Sequence, residues 1–302
     1  MSNIEILSKI PLIIDIQEIH FDVKMVEKYD EKIQNIAIER SKKIFVYKII
    51  YKSQGHKVVG YIVEPKEGEN LPCIICNRGG SNEFGRIEED HLFTRLIARF
   101  AENGYISIAS QYSGNAGGEG KDEHGGSDIE DVMNLYKILK SYSRADIKRI
   151  GMYGASRGAT MTYLMLARVK WLKAAVTSAG PTDLVRQSKE RPEMKKVFIK
   201  MFGGSLQEMK NRSAQYFVDN FPKKVPILIL HGTADWRVNP LDSLELVQKL
   251  LKLKIPYRLI MYEGGDHGLM EYRKESNAAI INWFDRYVKN GEKLPNLKPH
   301  GE

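Results

Sequence analysis

The sequence is poor in cysteine, in long apolar runs and in internal repetition. Its 302 residues include only 2 cysteines, which excludes a disulfide framework and a zinc site built from two cysteine pairs. No uninterrupted apolar stretch approaches the roughly 18 residues of a membrane-spanning helix. The first residues, MSNIEILSKIPLIID, lack the cationic start and the cleavage site of a secretory signal. We therefore expect a cytoplasmic protein with no membrane partner.

The two cysteines, Cys73 and Cys76, have the spacing of a redox or metal motif. Their neighbours are apolar and β-branched, which predicts a buried strand. Residues three apart on a strand point to opposite faces, so the two thiols cannot meet. We predict that both are packing residues. Because no H-E-x-x-H or similar cluster is present either, neither a metal nor a cofactor is expected.

Positive charge is in moderate excess, with 46 Lys+Arg against 38 Asp+Glu and a net charge of +8. The basic residues are spread along the chain, and most have acidic neighbours, as Lys121 has in Asp122 and Glu123. No basic helix, aromatic RNA-binding strand or zinc-finger spacing accompanies them. We expect no nucleic-acid partner, although the charge would favour acidic ligands.

From Leu71 onward, short apolar runs alternate with amphipathic stretches, a pattern typical of a mostly parallel sheet with crossover helices. The earlier residues predict a surface helix over 22–40 and a β-hairpin formed by 44–51 and 57–64. The predicted core strands are 73–76, 105–109, 149–153, 174–177, 227–230 and 257–261; the predicted helices are 87–103, 128–140, 157–169, 240–253 and 272–289. The helix at 128–140 is expected to begin with a capping box of Ser127 and Glu130.

The run GASRG, residues 154–158, is a G-x-S-x-G motif between a predicted strand and a predicted helix. A nucleophilic serine must protrude from a tight strand-to-helix turn, whose crowded backbone tolerates only small residues two positions to either side. The helix that follows would direct its N-terminal dipole and the Arg157 N–H at a developing oxyanion. Ser156 is therefore the candidate nucleophile.

A nucleophilic serine needs a base, and the base needs an orienting carboxylate. In α/β hydrolases the order is Ser, then Asp or Glu, then His, each on a loop after a later strand. Asp235 follows the predicted strand in ILILHGTADWRV, and His267 follows the next one in YRLIMYEGGDHGL. We interpret Asp266 as a turn residue and His231, at a strand end, as a structural histidine.

A second oxyanion donor is expected from the loop after the first core strand, Asn77–Ser81. Its paired glycines would let backbone N–H groups approach a substrate, although a plain tight turn would need the same glycines. Arg78 and Gly79 are the candidates.

The runs GASRG, HGTADWRV and GGDHG, together with AENGYISIASQYSGNAGGEG and GGSDIEDVMNL, resemble the catalytic domain of the prolyl oligopeptidase (S9) family of serine peptidases. The resemblance covers about residues 51–289 and implies an α/β-hydrolase fold, with Ser156, Asp235 and His267 as nucleophile, acid and base. Family members usually carry a β-propeller ahead of the hydrolase domain. About 70 residues without a repeat precede the core here, so no propeller gate is expected. Many members also have Tyr or His where this sequence has Arg78.

These features together predict an α/β-hydrolase fold with a mostly parallel central sheet and helices on both faces. An N-terminal extension, 1–43, is expected to pack on the catalytic domain, 44–290, which carries a helical insertion at 180–224 and is followed by a tail, 291–302. The apolar run at 10–14 would cap the sheet, shield the active-site mouth or form a homodimer contact.

We predict a serine hydrolase that acts through an acyl-enzyme, with a peptidase of small peptides as the main hypothesis. The alternatives are a carboxylesterase or deacetylase of small acyl esters, and a non-catalytic member that uses the fold for binding. The apolar residues of the insertion fit a substrate pocket and ordinary core packing equally well; they are Met194, Phe198, Met201 and Phe202.

Overall fold

The computed structural model describes residues 2–301, which divide into two compact units. The first contains the chain up to Glu123 together with Ser127–Ile150, and the second contains His124–Gly126 together with the chain from Gly151 onward. Among the described residues, no helix combines the length and the apolar character needed to cross a bilayer.

The described part of the first unit contains six strands and five α-helices, and its last strand continues into the second unit. In chain order the elements are α1 (Asn3–Leu7), β1 (Ile13–Glu18), α2 (Glu31–Ser41), β2 (Ile44–Ser53), β3 (His56–Pro65), β4 (Leu71–Asn77), α3 (His91–Thr94), α4 (Leu96–Glu102), β5 (Ile106–Ser110), α5 (Ile129–Ser141) and β6 (Ala145–Ala155). The strand order is β1-β2-β3-β5-β4-β6. Strand β2 is antiparallel to both β1 and β3, and β3 is antiparallel to β5. Strands β4 and β5 are parallel to each other.

The second unit continues the alternation of strand and helix. Its elements are α6 (Arg157–Arg168), β7 (Leu172–Ser178), α7 (Leu184–Glu190), α8 (Pro192–Phe202), α9 (Leu206–Asn211), β8 (Ile227–Gly232), α10 (Leu241–Leu253), β9 (Tyr257–Tyr262) and α11 (Arg273–Phe284). The order β6-β7-β8-β9 follows the chain, with β8 parallel to both of its neighbours. Strands β7, β8 and β9 therefore end at the same edge, where open α/β sheets build their sites.

The core strands were predicted because most of them are apolar runs that the fold buries, whereas β1 was not predicted. The hairpin is also confirmed: β2 and β3 pair from Ile44↔Pro65 to Ser53↔His56. Its two-residue turn, Gln54-Gly55, has φ angles of 51° and 86°, which match the primed turns that suit the strand twist.

Three helix predictions were wrong in their extent or their cap. Over 22–40, a short 3₁₀ turn precedes a break, and α2 starts only after Asp30, whose side chain accepts the Ile33 N–H. Over 87–103, an extended residue at Arg95 divides the helix into α3 and α4. The capping box at Ser127 does not form, because α5 begins at Ile129 after Asp128.

Both cysteines are buried and unbridged on β4, as predicted. Burial raises the pKa of each thiol well above its usual range, so neither supplies a thiolate nucleophile.

A buried carboxylate also organises the first unit. Glu64 lies 2.9 Å from the Arg144 guanidinium and accepts a 2.8 Å hydrogen bond from the Tyr142 hydroxyl. Burial raises the pKa of Glu64 to about 6, although these partners act in the opposite direction.

Candidate active site

Ser156 occupies the junction between β6 and α6 in a strained backbone conformation. Its φ of 54° and ψ of −126° lie in a region that residues with a side chain rarely adopt. The turn is so tight that a Cβ on Gly154 would stand 2.1 Å from the Gly158 carbonyl oxygen. The Ser156 N–H donates to the Ser178 carbonyl at 2.8 Å, which ties the turn to the end of β7. Gly154 is thus a steric requirement of this turn.

His267 brings the predicted nucleophile and acid into one hydrogen-bonded chain. Its Nε2 lies 3.0 Å from Ser156 Oγ, and its Nδ1 lies 2.8 Å from Asp235 Oδ2. An acceptor-only carboxylate at Nδ1 holds the proton there and leaves the Nε2 lone pair facing the serine hydroxyl. This is the arrangement that general-base activation of a serine requires.

Close backbone packing brings the Asp235 loop beside the His267 loop. A Cβ on Gly232 would stand 2.1 Å from the Gly265 carbonyl oxygen, so only glycine allows the loops to approach this closely. The Ala234 N–H donates to that same carbonyl at 3.0 Å. Gly232 therefore allows the loop of Asp235 to lie next to the loop of His267.

The Asp235 carboxylate is fully buried and accepts four hydrogen bonds. Oδ1 accepts the backbone N–H groups of Arg237 and Val238 at 2.8 and 3.0 Å, and Oδ2 faces the imidazoles of His267 and His231 at 2.8 and 3.1 Å. Burial alone would raise the pKa of Asp235, but the bonds from the two histidines and the backbone outweigh it and hold the pKa well below its usual range. The group is therefore an anion across the working pH range.

His231 was interpreted from the sequence as structural, and it is indeed fully buried at the end of β8. Its contact with Asp235 Oδ2 was not foreseen. The one signal available was the four-residue spacing in HGTAD, which lets the loop return to the strand end. Asp266, by contrast, accepts the Gly268 and Met270 N–H groups through Oδ1, as a turn residue does.

The oxyanion candidates lie in different units. Arg157 is the first residue of α6, directly after Ser156, where the helix dipole favours negative charge. Arg78 and Gly79 belong to the first unit, and there the Arg78 guanidinium donates to backbone carbonyls, including those of Gln111 at 2.9 Å and Asn82 at 2.9 Å. The Arg78 side chain thus stabilises its own loop, so any oxyanion role in this loop belongs to backbone N–H groups.

A cavity of about 290 Å³ in the second unit opens beside Asp235. Gln187 of α7 and Arg191, the residue that follows α7, contribute to its wall, and the loop after Asp235 contributes Trp236. Trp236 is 68% exposed, and the Arg191 guanidinium lies over its ring at 5.0 Å.

The apolar residues of the insertion pack mainly on one another. Phe198 is fully buried, joins Leu184 and Met209 in one cluster, and stacks on Phe202 with ring centroids 5.3 Å apart. Met194 packs against the same cluster, and Met201 is also buried. Of the two interpretations left open by the sequence, core packing therefore describes these residues.

Comparison with known proteins identifies the family to which this chain is similar. A family model described as the prolyl oligopeptidase family matches residues 92–291. The protein named uncharacterized peptidase YtmA from Bacillus subtilis (strain 168) is 26% identical over 253 residues, which cover 83% of this chain and 95% of that protein. Dipeptidyl-peptidase 5 from Porphyromonas endodontalis is 25% identical over 262 residues, which cover 78% of this chain and only 36% of that protein.

Solved structures agree on the fold. An acylaminoacyl peptidase from Pyrococcus horikoshii superposes with a TM-score of 0.73 at 21% identity, covering 87% of this chain and 45% of that one. The chain thus spans less than half of this neighbour, and the likeness shows the fold alone. The structural likeness confirms the predicted α/β-hydrolase fold, and the family match confirms the predicted assignment to the serine peptidases. The chain belongs to the prolyl oligopeptidase family of serine peptidases.

Proposed function

We propose that this chain hydrolyses small peptides through an acyl-enzyme formed on Ser156. The observation that carries the proposal is the unbroken chain of hydrogen bonds from Ser156 Oγ through His267 to Asp235, at 3.0 and 2.8 Å. Family membership supplies the reaction class, and the chain's own side chains supply the groups that this class needs.

In the first step Ser156 Oγ attacks the scissile carbonyl carbon while His267 Nε2 takes the hydroxyl proton. Asp235 remains ionised, keeps the Nδ1 proton in place and stabilises the imidazolium. The Arg157 N–H is the proposed oxyanion donor, at the start of α6. The imidazolium then returns its proton to the leaving amine, and the C–N bond breaks. Water repeats the sequence on the acyl-enzyme and frees Ser156.

The choice of peptides over esters rests on the relatives, whose names are those of peptidases. None of these three names is that of a carboxylesterase or a deacetylase. Because the chain spans only 36% of dipeptidyl-peptidase 5, the substrate itself is part of the proposal.

The test compares kcat/KM for a p-nitroanilide and a p-nitrophenyl ester that carry the same acyl group. We expect both to be cleaved, and we expect S156A to abolish both activities. S205A is the matched control: Ser205 caps α9 in the same unit and accepts the Glu208 N–H at 3.2 Å, so its loss costs only about 1 kcal/mol of stability. Ester cleavage without anilide cleavage would refute the peptidase and favour an esterase, whereas full activity in S156A would refute the proposed nucleophile.

A further inference from the structure

The Asp235 carboxylate is shared between two imidazoles, of which the proposed mechanism uses one. His231 Nε2 lies 3.1 Å from Asp235 Oδ2, the same oxygen that faces His267 Nδ1 at 2.8 Å. The side chains of His231 and Asp235 are both 0% exposed, so their contact is buried. The second imidazole is therefore positioned to act on the acid of the site.

The neighbours of His231 determine which of its nitrogens carries the proton. Nε2 faces Asp235 Oδ2 and the Val238 carbonyl oxygen, both at 3.1 Å, and each can only accept. Nε2 must therefore bear the hydrogen. Nδ1 lies 2.7 Å from Ser243 Oγ, and in the neutral ring it accepts the serine hydroxyl proton. Ser243, in the first turn of α10, thus holds the His231 ring in place while its Nε2–H faces Asp235.

The other charged groups near this network have their own partners. Asp242, next to Ser243, accepts the Thr182 N–H at 2.6 Å and lies 3.7 Å from the Arg186 guanidinium. Asp266, next to His267, accepts backbone N–H groups of its own turn. On the other side of Asp235, Glu190 and Arg191 line the cavity, where Glu190 accepts the Asn239 amide and Arg191 lies beside Glu193.

We propose that His231 is a positioning residue of the active site, which fixes Asp235 Oδ2 and withdraws part of its negative charge from His267. The proposal rests on the proposed function, because it gives His231 a role through the Ser156–His267–Asp235 chain. With His231 in place, the carboxylate stabilises the His267 imidazolium less than it would with a single imidazole partner. Without His231, the whole charge of Oδ2 would face the His267 imidazolium.

Two variants of His231 separate this role from packing. In H231N the shorter amide reaches the position of Nδ1 and can meet Ser243, but it stops short of Asp235. In H231Q the longer amide reaches the position of Nε2 and restores a donor to Oδ2. S243A removes a single oxygen and with it the hydrogen bond to Nδ1, which loosens the His231 ring against Asp235. It serves as the variant that folds if H231N does not.

The readout is the rate at which a fluorophosphonate probe labels Ser156, measured from pH 5 to pH 9, with thermal unfolding measured in parallel. We expect the acid limb of the rate profile to move upward by about half a pH unit in H231N, the size expected for the loss of one of four hydrogen bonds to a carboxylate. S243A should move the limb less in the same direction, and H231Q should return it toward wild type.

The possible failures point to different errors. If the wild type is not labelled at Ser156, the proposed function falls and this inference falls with it. If the wild type is labelled but H231N or S243A leaves the acid limb in place, His231 is only a packing residue. A uniform loss of labelling at every pH, equal in H231N and H231Q, would likewise overturn the inference.

Discussion

The D235N variant tests the hydrogen-bond pattern around Asp235, because the neighbouring donors determine the orientation of an amide at this position. Oδ1 accepts two backbone N–H groups, from Arg237 at 2.8 Å and Val238 at 3.0 Å. An NH₂ group in that place would face two donors, so the amide must turn its oxygen there. Its NH₂ then faces the imidazoles at the position of Oδ2.

This orientation changes the proton on His267. Facing a donor, Nδ1 must become an acceptor, and the ring then carries its proton on Nε2, 3.0 Å from Ser156 Oγ. The lone pair that takes the serine proton is lost, although the packing of the site is preserved. We expect kcat/KM to fall by about 10⁴-fold, or about 5.5 kcal/mol of transition-state stabilisation.

The assay is kcat/KM for the anilide at pH 8, with thermal unfolding measured on the same samples. D266N is the matched control, since it removes the same charge one residue from His267, on a side chain that accepts only backbone N–H groups of its turn. It should retain activity within about threefold. A loss of less than tenfold in D235N, or an equal loss in D266N, would contradict the tautomer argument.

Three further predictions concern stability. G154A adds a Cβ 2.1 Å from the Gly158 carbonyl oxygen, so the turn must shift; urea unfolding should show a loss of about 3 kcal/mol, and fluorophosphonate labelling should fail. The pKa of Glu64 is raised to about 6 from 4.5, so the stability that this group contributes is present below pH 4.5 and is lost as the pH rises through 6. The free energy of unfolding of wild type should therefore fall by about 2 kcal/mol relative to that of E64Q between pH 4 and 7. A pH-independent difference between the two would contradict this assignment. F198A removes a fully buried ring that stacks on Phe202, so the free energy of unfolding should fall by about 3–5 kcal/mol. A loss below about 1 kcal/mol would show that this cluster contributes little to stability.

The central strands could be predicted because their signal is local. The run CIIC and the run ILIL are continuous and apolar, since the fold buries those residues of β4 and β8. The edge strand β1 was missed for the converse reason. Only one of its six residues is buried, so Ile13–Glu18 lacks a continuous apolar run.

The helix breaks could not be predicted from the sequence, because no proline or glycine marks them. Arg95 takes an extended conformation between α3 and α4, although its neighbours are ordinary helix formers. Tertiary packing decides such breaks. The buried Arg40, for example, donates to the Phe93 carbonyl at 2.6 Å, a contact between residues 53 positions apart.

The same distinction separates what the sequence revealed of the site from what it did not. Gly154 and Gly232 are required by close contacts between backbones, and such steric needs restrict the residue type so strongly that the motif can be recognised in one sequence. The contacts of His231 with Asp235 and Ser243 impose no such restriction, because a buried histidine finds partners in many folds. Motifs therefore identify the residues that the backbone forces into place. The residues that orient those groups are found only from distances between side chains. The variants of His231 and Ser243 therefore measure the effect of side-chain contacts with Asp235, which the G-x-S-x-G motif does not encode.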